Sequence, residues 1–217
     1  MNKSSVIKRI VETGVIPVIR ANSVDEAARA VDAIAAGGVA TMEITMTVPG
    51  AVKVIESIAA RHGDAVLVGA GTVLDAETAR ICILAGAQFV ISPALNLETI
   101  AICKRYGVAA MPGALTPTEI VTAWSAGADF VKVFPAGALG GANYIKSLKA
   151  PLPQIEIVPT GGVSLETAAD FVRAGSSAIG VGADLVDLTA LAAGNDKLLT
   201  ARAKEYVKIV REARQPL

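Results

Sequence analysis

The sequence is poor in the residue types that build metal, redox and nucleic-acid sites. It contains one histidine, His62, and two cysteines, Cys82 and Cys103, which fall in helix-like segments without the spacing of metal ligands. Lysine plus arginine balances aspartate plus glutamate at 20 each, so no charge excess indicates nucleic acid or an anionic membrane. We expect buried, reduced cysteines, no metal, and a small molecule or a second copy of the chain as partner.

Long hydrophobic runs are also missing. The opening "MNKSSVIKRIVETG" carries charges every few positions and lacks the apolar core of a signal peptide. The longest uncharged run, 81–97, is interrupted by glycine, glutamine, serine-proline and asparagine, unlike a membrane span. We therefore expect a cytoplasmic protein with no membrane contact, and the 217 residues suit a single domain, 1–217.

The chain repeats a unit of one strand and one helix. Helix stops recur at intervals of roughly 20 to 26 residues. Eight short apolar runs alternate with the helices, at 14–20, 41–45, 65–71, 88–92, 109–113, 130–134, 156–160 and 178–182. The helix-start signals are Ser23 and Thr116, each with a glutamate three residues later, and Asp75, Asn96 and Ser164 as N-caps.

Apolar strands that are each followed by a helix predict a parallel sheet covered by helices, which is an α/β fold. Eight strand–helix units match the eight strands of a single-domain (β/α)8 TIM barrel. A doubly wound sheet has five or six strands and would not account for all eight units. Residues 4–12 predict an extra N-terminal helix across the bottom of the barrel. Residues 196–215 predict its eighth helix.

Polar residues fall at the C-terminal ends of the strands, where (β/α)8 enzymes carry their active sites. Lys132 and Glu43 lie inside apolar strands, and Arg20 ends the first strand. Because side chains alternate along a strand, Lys132 shares a face with Phe130 and Phe134. Inward faces would bring lysine, glutamate and arginine into one barrel mouth. One alternative is that Lys132 and Glu43 form a purely structural ion pair. Another is that Arg20 is a surface residue or holds a loop in place.

These three residues indicate Schiff-base chemistry on a 2-oxo acid. Burial disfavours a charged ammonium, which leaves the Lys132 amine available to attack a carbonyl carbon. Glu43 can move protons, and Arg20 suits a bidentate grip on a carboxylate. "PTGG" (159–162) and "GVGAD" (180–184) follow the last two strands, where backbone N–H groups commonly cradle phosphate, although glycines also serve tight turns.

The sequence resembles the family of 2-keto-3-deoxy-6-phosphogluconate (KDPG) aldolases, which includes 4-hydroxy-2-oxoglutarate (KHG) aldolases. The matching motifs span nearly the whole chain in order: "GGVATMEIT" (37–45), "GAGTV" (69–73), "GAQFVISP" (86–93), "MPGALTPTE" (111–119), "KVFPA" (132–136) and "VPTGGV" (158–163). The resemblance implies a class I aldolase that needs no metal or cofactor, acts on a phosphorylated 2-oxo acid and forms a homotrimer.

The resemblance also implies roles for individual residues. Lys132 would be the Schiff-base lysine and Glu43 the general acid/base. The implied substrate contacts are Thr72, Pro93 and Phe134 around pyruvate, Thr160 with an influence on stereochemistry, and Gly161, Gly162 and Gly182 near the phosphate.

Two positions depart from the family pattern. Many members carry an arginine four residues after the glutamate to grip the pyruvate carboxylate, and here that position is Thr47. We assign the grip to Arg20, at the end of the neighbouring strand. Ala183 stands where members often have a serine whose hydroxyl helps hold the distal end of the substrate, and its absence weakens the case for tight phosphate recognition.

We predict a lyase that cleaves 2-dehydro-3-deoxy-6-phosphogluconate to pyruvate and glyceraldehyde 3-phosphate, with 4-hydroxy-2-oxoglutarate as a second substrate. Three alternatives remain open: the 6-phosphogalactonate epimer as substrate, a non-catalytic barrel used as an assembly scaffold, and a metal-dependent phosphosugar barrel such as an epimerase. The last would need clustered histidines and acids at strand ends, which one histidine does not supply.

Overall fold

Residues 1–215, which the computed structural model describes, form nine strands and ten α-helices. The strands are β1 (Val15–Ile19), β2 (Thr41–Thr45), β3 (Leu67–Gly71), β4 (Phe89–Ile91), β5 (Ala109–Met111), β6 (Gly113–Ala114), β7 (Val131–Val133), β8 (Ile157–Pro159) and β9 (Ile179–Val181). The helices are α1 (Lys3–Thr13), α2 (Val24–Ala36), α3 (Ala51–His62), α4 (Ala76–Leu84), α5 (Leu97–Tyr106), α6 (Pro117–Ser125), α7 (Ala142–Lys149), α8 (Ala168–Arg173), α9 (Leu188–Ala192) and α10 (Asp196–Ala213).

All strand pairs in the two sheets are parallel. One sheet has the order β5-β4-β3-β2-β1-β9 and the other the order β6-β7-β8. Pro112 separates β5 from β6, because proline has no N–H to donate to a strand ladder. At the far edge, an isolated bridge joins Thr160 to Gly180 of β9. The predicted α/β fold with a helix-covered parallel sheet is confirmed, and the predicted run 109–113 is split into two strands.

The predicted strand faces are confirmed by burial. Val131 and Val133 of β7 pack in the large core under the helices, whereas Phe130 belongs to a second cluster on the opposite side of the strands. We call this second set the inner cluster; its buried members are Val6, Ile10, Ile16, Leu67, Phe89, Ile91, Ala109, Met111, Phe130, Val158 and Ala178. Lys132 alternates with the two valines and therefore points to the inner side.

Helix α1 covers one end of the inner cluster, as the predicted extra helix at 4–12 requires. Its buried residues Val6 and Ile10 pack there. The Asn2 side chain caps the helix by accepting from the N–H of Ser5, and Gly14 ends it in the left-handed region with φ of 68°.

Most predicted helix starts are confirmed. The Asp75 and Asn96 side chains accept from backbone N–H groups three residues on, and Thr116 forms a complete capping box. Ser23 caps α2, but its partner Glu26 accepts from the N–H of Asn22 instead. The predicted N-cap at Ser164 is wrong: α8 begins at Ala168, and the Ser164 hydroxyl donates to Glu166. The last helix begins at Asp196 as predicted.

The two cysteines are buried, as expected. Burial raises the pKa of Cys82 to about 11 and that of Cys103 to about 12, so both thiols stay protonated and unreactive at neutral pH. Among residues 1–215, no helix is long and apolar enough to cross a membrane. The same residues contain no group of three or more histidine, cysteine, aspartate or glutamate side chains placed to hold a metal ion.

Candidate active site

A buried lysine and a buried glutamate face each other inside the strands. Lys132 is the middle residue of β7 and Glu43 the middle residue of β2, and the Lys132 Nζ lies 3.6 Å from the Glu43 Oε1. Their side chains are 7% and 2% exposed. Within residues 1–215, the Glu43 Oε1 has no hydrogen-bond donor. Because a buried carboxylate oxygen without a donor is costly, stability does not explain this pair.

Glycine makes room for the glutamate. A Cβ at Gly71, on the neighbouring strand β3, would lie 2.0 Å from the Glu43 Oε1. The next residue, Thr72, has φ of 57°, which is rare for a β-branched side chain. Backbone strain of this kind concentrates at binding and catalytic sites. Thr72, a predicted pocket residue, therefore directly follows Gly71, over which the Glu43 side chain lies.

Pro93 and Phe134 lie near Lys132 by different routes. Gly113 of β6 is the register partner of Lys132, and a Cβ at Gly113 would lie 2.2 Å from the carbonyl carbon of Pro93. Pro93 is therefore one strand away from the lysine. The Lys132 Nζ is 5.6 Å from the centroid of the Phe134 ring, which is 37% exposed. Phe134 thus lies close to the amine, and the contact of both residues with pyruvate stays a prediction.

A cavity of about 270 Å³ opens beside this pair at the C-terminal ends of the strands. Seven predicted site residues line it: Arg20, Phe134, Thr160, Gly161, Gly162, Gly182 and Ala183. Phe134 belongs both to the cavity wall and to the surroundings of Lys132, so it joins the two parts of the site. The other predicted site residues do not line this cavity; they are Lys132, Glu43, Thr47, Thr72 and Pro93. Thr72 directly follows Gly71, over which Glu43 lies, and Pro93 lies against Gly113.

Hydrogen bonds tie Thr47 to the end of β1. The Thr47 hydroxyl is 2.7 Å from the Thr45 hydroxyl, which donates to the carbonyl of Ile19 at 3.1 Å. Arg20 follows Ile19 directly, and within residues 1–215 its guanidinium forms no ion pair. Arg20 and Thr47 therefore stand on adjacent strand ends, and the arginine charge is free for a ligand.

Backbone N–H groups without acceptors border the cavity. In the described part of the chain, the N–H groups of Gly162, Val163, Ala183 and Asp184 donate to no backbone or side-chain oxygen. Gly162 has φ of 78°, a conformation that glycine adopts without strain. Consecutive free N–H groups form the concave nests that bind anions in proteins. The two glycine-rich loops thus carry free donors at the cavity, and the phosphate cradle stays a prediction.

A family model described as KDPG and KHG aldolase matches residues 6–201. The chain belongs to this aldolase family. A 2-dehydro-3-deoxy-phosphogluconate aldolase from Treponema pallidum is 37% identical over 196 residues, which are 90% of this chain and 93% of the relative. A 2-dehydro-3-deoxy-6-phosphogalactonate aldolase from Escherichia coli is 38% identical over 202 residues, which are 92% and 96% of the two chains.

A solved structure of another family member shows the same fold. KDPG aldolase from Legionella pneumophila, with pyruvate captured at low pH as a covalent carbinolamine intermediate, has a TM-score of 0.85 to this chain at 28% identity. The match covers 91% of this chain and 96% of that one. This aldolase-family chain therefore shares both its sequence motifs and its fold with enzymes of carbon–carbon cleavage.

Sequence reasoning missed three residues of the site. Gly71 and Gly113 are needed because Glu43 and Pro93 occupy the space of their side chains. Asp184 lines the cavity as the last residue of "GVGAD". Its acidic side chain next to a glycine-rich loop was the available signal.

Proposed function

We propose that this chain is a class I aldolase that cleaves 2-dehydro-3-deoxy-6-phosphogluconate to pyruvate and glyceraldehyde 3-phosphate, and 4-hydroxy-2-oxoglutarate to pyruvate and glyoxylate. The observation that carries the proposal is the buried Lys132–Glu43 pair, whose Nζ and Oε1 lie 3.6 Å apart while Oε1 lacks a donor. An amine and a proton-transfer group within reach of each other are what Schiff-base catalysis requires.

The reaction begins with attack of the Lys132 amine on C2 of the 2-oxo acid. The new N–C bond gives a carbinolamine, and loss of its hydroxyl as water gives an iminium. The C3–C4 bond then breaks, its electron pair moves into the iminium to form an enamine, and the C4 hydroxyl becomes the aldehyde as it loses its proton. Protonation of C3 and hydrolysis of the imine release pyruvate and restore the amine.

Glu43 moves the protons in this sequence. Its carboxyl group supplies the proton that leaves with water from the carbinolamine, takes the C4 hydroxyl proton through a water molecule, and returns a proton to C3 of the enamine. The missing hydrogen-bond donor at Oε1 supports this role, because the oxygen is available to substrate or water. Thr72, Pro93 and Phe134 enclose the pyruvate part, and Thr160 contacts the substrate beyond it.

Arg20 holds the carboxylate of the 2-oxo acid in place of the arginine that many members carry at the position of Thr47. The assignment is supported by the hydrogen-bonded path from Thr47 through Thr45 to Ile19, which brings these two strand ends together. It is supported also by the Arg20 guanidinium at the cavity wall, which forms no ion pair within residues 1–215. A planar guanidinium matches a carboxylate with two parallel hydrogen bonds.

The phosphate lies between the two glycine-rich loops. Gly161, Gly162 and Gly182 allow close approach of the backbone, and the free N–H groups of Gly162 and Ala183 point to anion binding. The 6-phosphogalactonate epimer is the second candidate substrate, since the 38% identical relative carries that name. Cleavage rates for the phosphogluconate, the phosphogalactonate and 4-hydroxy-2-oxoglutarate, measured side by side, rank the three.

We also infer that the two sheets form one (β/α)8 barrel, a single domain over 1–217. Pro112 alone stands between β5 and β6, and the Thr160–Gly180 bridge joins the other two edges, so the strand order returns to its start. The inner cluster would then be the barrel interior, with α1 across its bottom. The active site would occupy the top.

The assembly we propose is a homotrimer. Exposed apolar side chains gather on α4 and α5, which pack against each other, and on the segment before α4. These residues are Leu74, Ile81, Leu84 and Leu97, of which Leu84 is 65% exposed. Large apolar side chains in one region of a surface mark a protein–protein contact.

Borohydride trapping tests the proposed function. Incubation with pyruvate and reductant should add one pyruvate-derived mass to the peptide that contains Lys132, and Lys132→Met should abolish the adduct. Lys149→Met is the matched control, because the Lys149 Nζ donates to the backbone carbonyls of Pro153 and Ile155, away from the site. If pyruvate and reductant leave the wild-type protein unlabelled, Schiff-base catalysis is refuted. The non-catalytic scaffold is then the alternative that remains.

A further inference from the structure

A fully buried tyrosine lies behind the cavity loop. Tyr206 of α10 is among the largest completely buried side chains, and its hydroxyl donates to the Asp184 Oδ1. Burial, together with this carboxylate, raises the pKa of Tyr206 far above its ordinary value. The phenol therefore remains a hydrogen-bond donor at every physiological pH.

Arg202, one helical turn before Tyr206, holds the same loop residue. Its Nη1 donates to the Asp184 carbonyl at 2.7 Å and lies 3.3 Å from the Asp187 Oδ2. Residues four apart share one face of a helix. Helix α10 thus fixes both the backbone and the side chain of Asp184.

Asp184 lies where its negative charge affects phosphate binding. It lines the cavity directly after Ala183, and its own N–H is one of the free groups at the proposed phosphate end. A carboxylate beside a phosphate dianion is repulsive, because like charges at short distance disfavour each other in a partly buried site. The bond to Tyr206 draws one carboxylate oxygen toward α10.

We propose that Tyr206 is a positioning residue that determines how tightly the cavity binds a substrate with a phosphate at its distal end. Without touching substrate, it holds the Asp184 carboxylate against α10 and away from the phosphate, while Arg202 holds the Asp184 backbone. Ala183 supplies no hydroxyl, so distal recognition depends on backbone N–H groups, and Tyr206 controls the position of the negative charge beside them. The inference rests on the proposed function and adds a determinant of its substrate class.

Tyr206→Phe removes only the hydroxyl. We expect the KM for the 6-phosphorylated substrate to rise about tenfold, because the released Asp184 carboxylate can turn toward the phosphate and repel it. The kcat should stay the same, and so should the KM for the unphosphorylated sugar acid 2-keto-3-deoxygluconate. Tyr106→Phe is the matched control, since the Tyr106 hydroxyl accepts from Arg80 on the protein surface. A purely structural role would change both substrates alike.

A second variant tests the charge directly. In Tyr206→Phe/Asp184→Asn the released side chain is neutral, so the KM for the phosphorylated substrate should return toward the wild-type value. Asp184→Asn alone removes the charge but keeps an oxygen for Tyr206 to bind, and it should lower that KM. Equal effects of Tyr206→Phe on both substrates, or a failure of the double variant to recover, would overturn the proposal.

Direct binding separates this proposal from the proposed function. Calorimetric titration with glycerol 3-phosphate reports the distal cradle without any bond cleavage, and Tyr206→Phe should weaken it by the same factor as the KM. If the wild type binds glycerol 3-phosphate, Tyr206→Phe binds it more weakly, and no borohydride adduct forms with pyruvate, the proposed catalysis fails and the role of Tyr206 stands. If the adduct forms and Tyr206→Phe binds glycerol 3-phosphate like the wild type, the role of Tyr206 fails alone.

Discussion

We propose that Arg20 binds the substrate carboxylate in place of an arginine on the neighbouring strand. The position four residues after Glu43 holds Thr47, whose hydroxyl cannot neutralise a carboxylate. Arg20 directly follows β1, the strand beside β2, and this exposed residue lines the cavity. In this proposal a cation binds the same end of the substrate from a different strand.

Arg20→Ala should raise the KM for pyruvate in the borohydride reaction roughly ten- to a hundredfold, because a charge-assisted hydrogen-bond pair is worth about 1.5–3 kcal/mol. Arg20→Lys should recover only part of this loss, since an ammonium cannot bind both carboxylate oxygens at once. Arg61→Ala, which removes a surface arginine paired with Asp32, is the control. An unchanged KM in Arg20→Ala would eliminate the assignment.

At the residue scale, Lys132 and Glu43 were predictable because a charge within an apolar strand is costly and needs a reason. The residues that accommodate them were not. Gly71 matters only because the Glu43 side chain crosses it from the next strand. The contact of Tyr206 with Asp184 joins a helix to a loop after another strand, and no local pattern announces it. Contacts between distant segments become visible only in the fold.

At the scale of elements, helix ends depend on single side chains. Thr116 accepts from the N–H of Glu119, and the Glu119 carboxylate accepts from the N–H groups of Leu115 and Thr116 at 2.8 Å each. These bonds, first from Leu115 and then from Thr116, hold the pKa of Glu119 below its ordinary value. The contribution of the α6 N-terminus to the free energy of unfolding therefore depends on pH.

Thr116→Ala should lower the free energy of unfolding by about 1 kcal/mol, the usual cost of a lost N-cap. Glu119→Gln should destabilise the protein at pH 7, where the carboxylate is charged. The difference from the wild type should vanish as the pH falls through the lowered pKa of Glu119, because a depressed pKa gives stability only above it. Urea unfolding at pH 7 and pH 3 measures this, with the exposed Glu205→Gln as control. A difference independent of pH would contradict the capping role of the charge.

The positions of most strands and helices could be predicted from the sequence more accurately than their first and last residues. The eight apolar runs became strands since parallel strands covered on both faces need continuous apolar sequence. The break at Pro112 was missed because proline also occurs at strand ends, as Pro159 does. The short helix α9 was missed too: it has five residues, fewer than a periodic pattern needs to be recognised.

At the scale of the whole molecule, self-association should depend on the apolar residues of α4 and α5. Leu84→Asp places a charge in the proposed contact and should convert the trimer to monomers, because burial of an unpaired carboxylate is costly. Light scattering after size exclusion gives the mass. Leu188→Asp, at an exposed leucine on α9, should leave the trimer intact. A wild-type monomer, or an unaffected Leu84→Asp trimer, would contradict the proposed surface.

The pairing of β1 with β9 joins the beginning of the fold to its end. Contacts between segments so far apart in sequence form late, because the chain entropy lost in closing the loop comes before any gain. A growing chain on the ribosome must therefore keep one edge of β1 unpaired until nearly all of the fold has been made. Arg20 and Ala183 follow these two strands, so we expect the proposed site to be completed only when β9 pairs with β1.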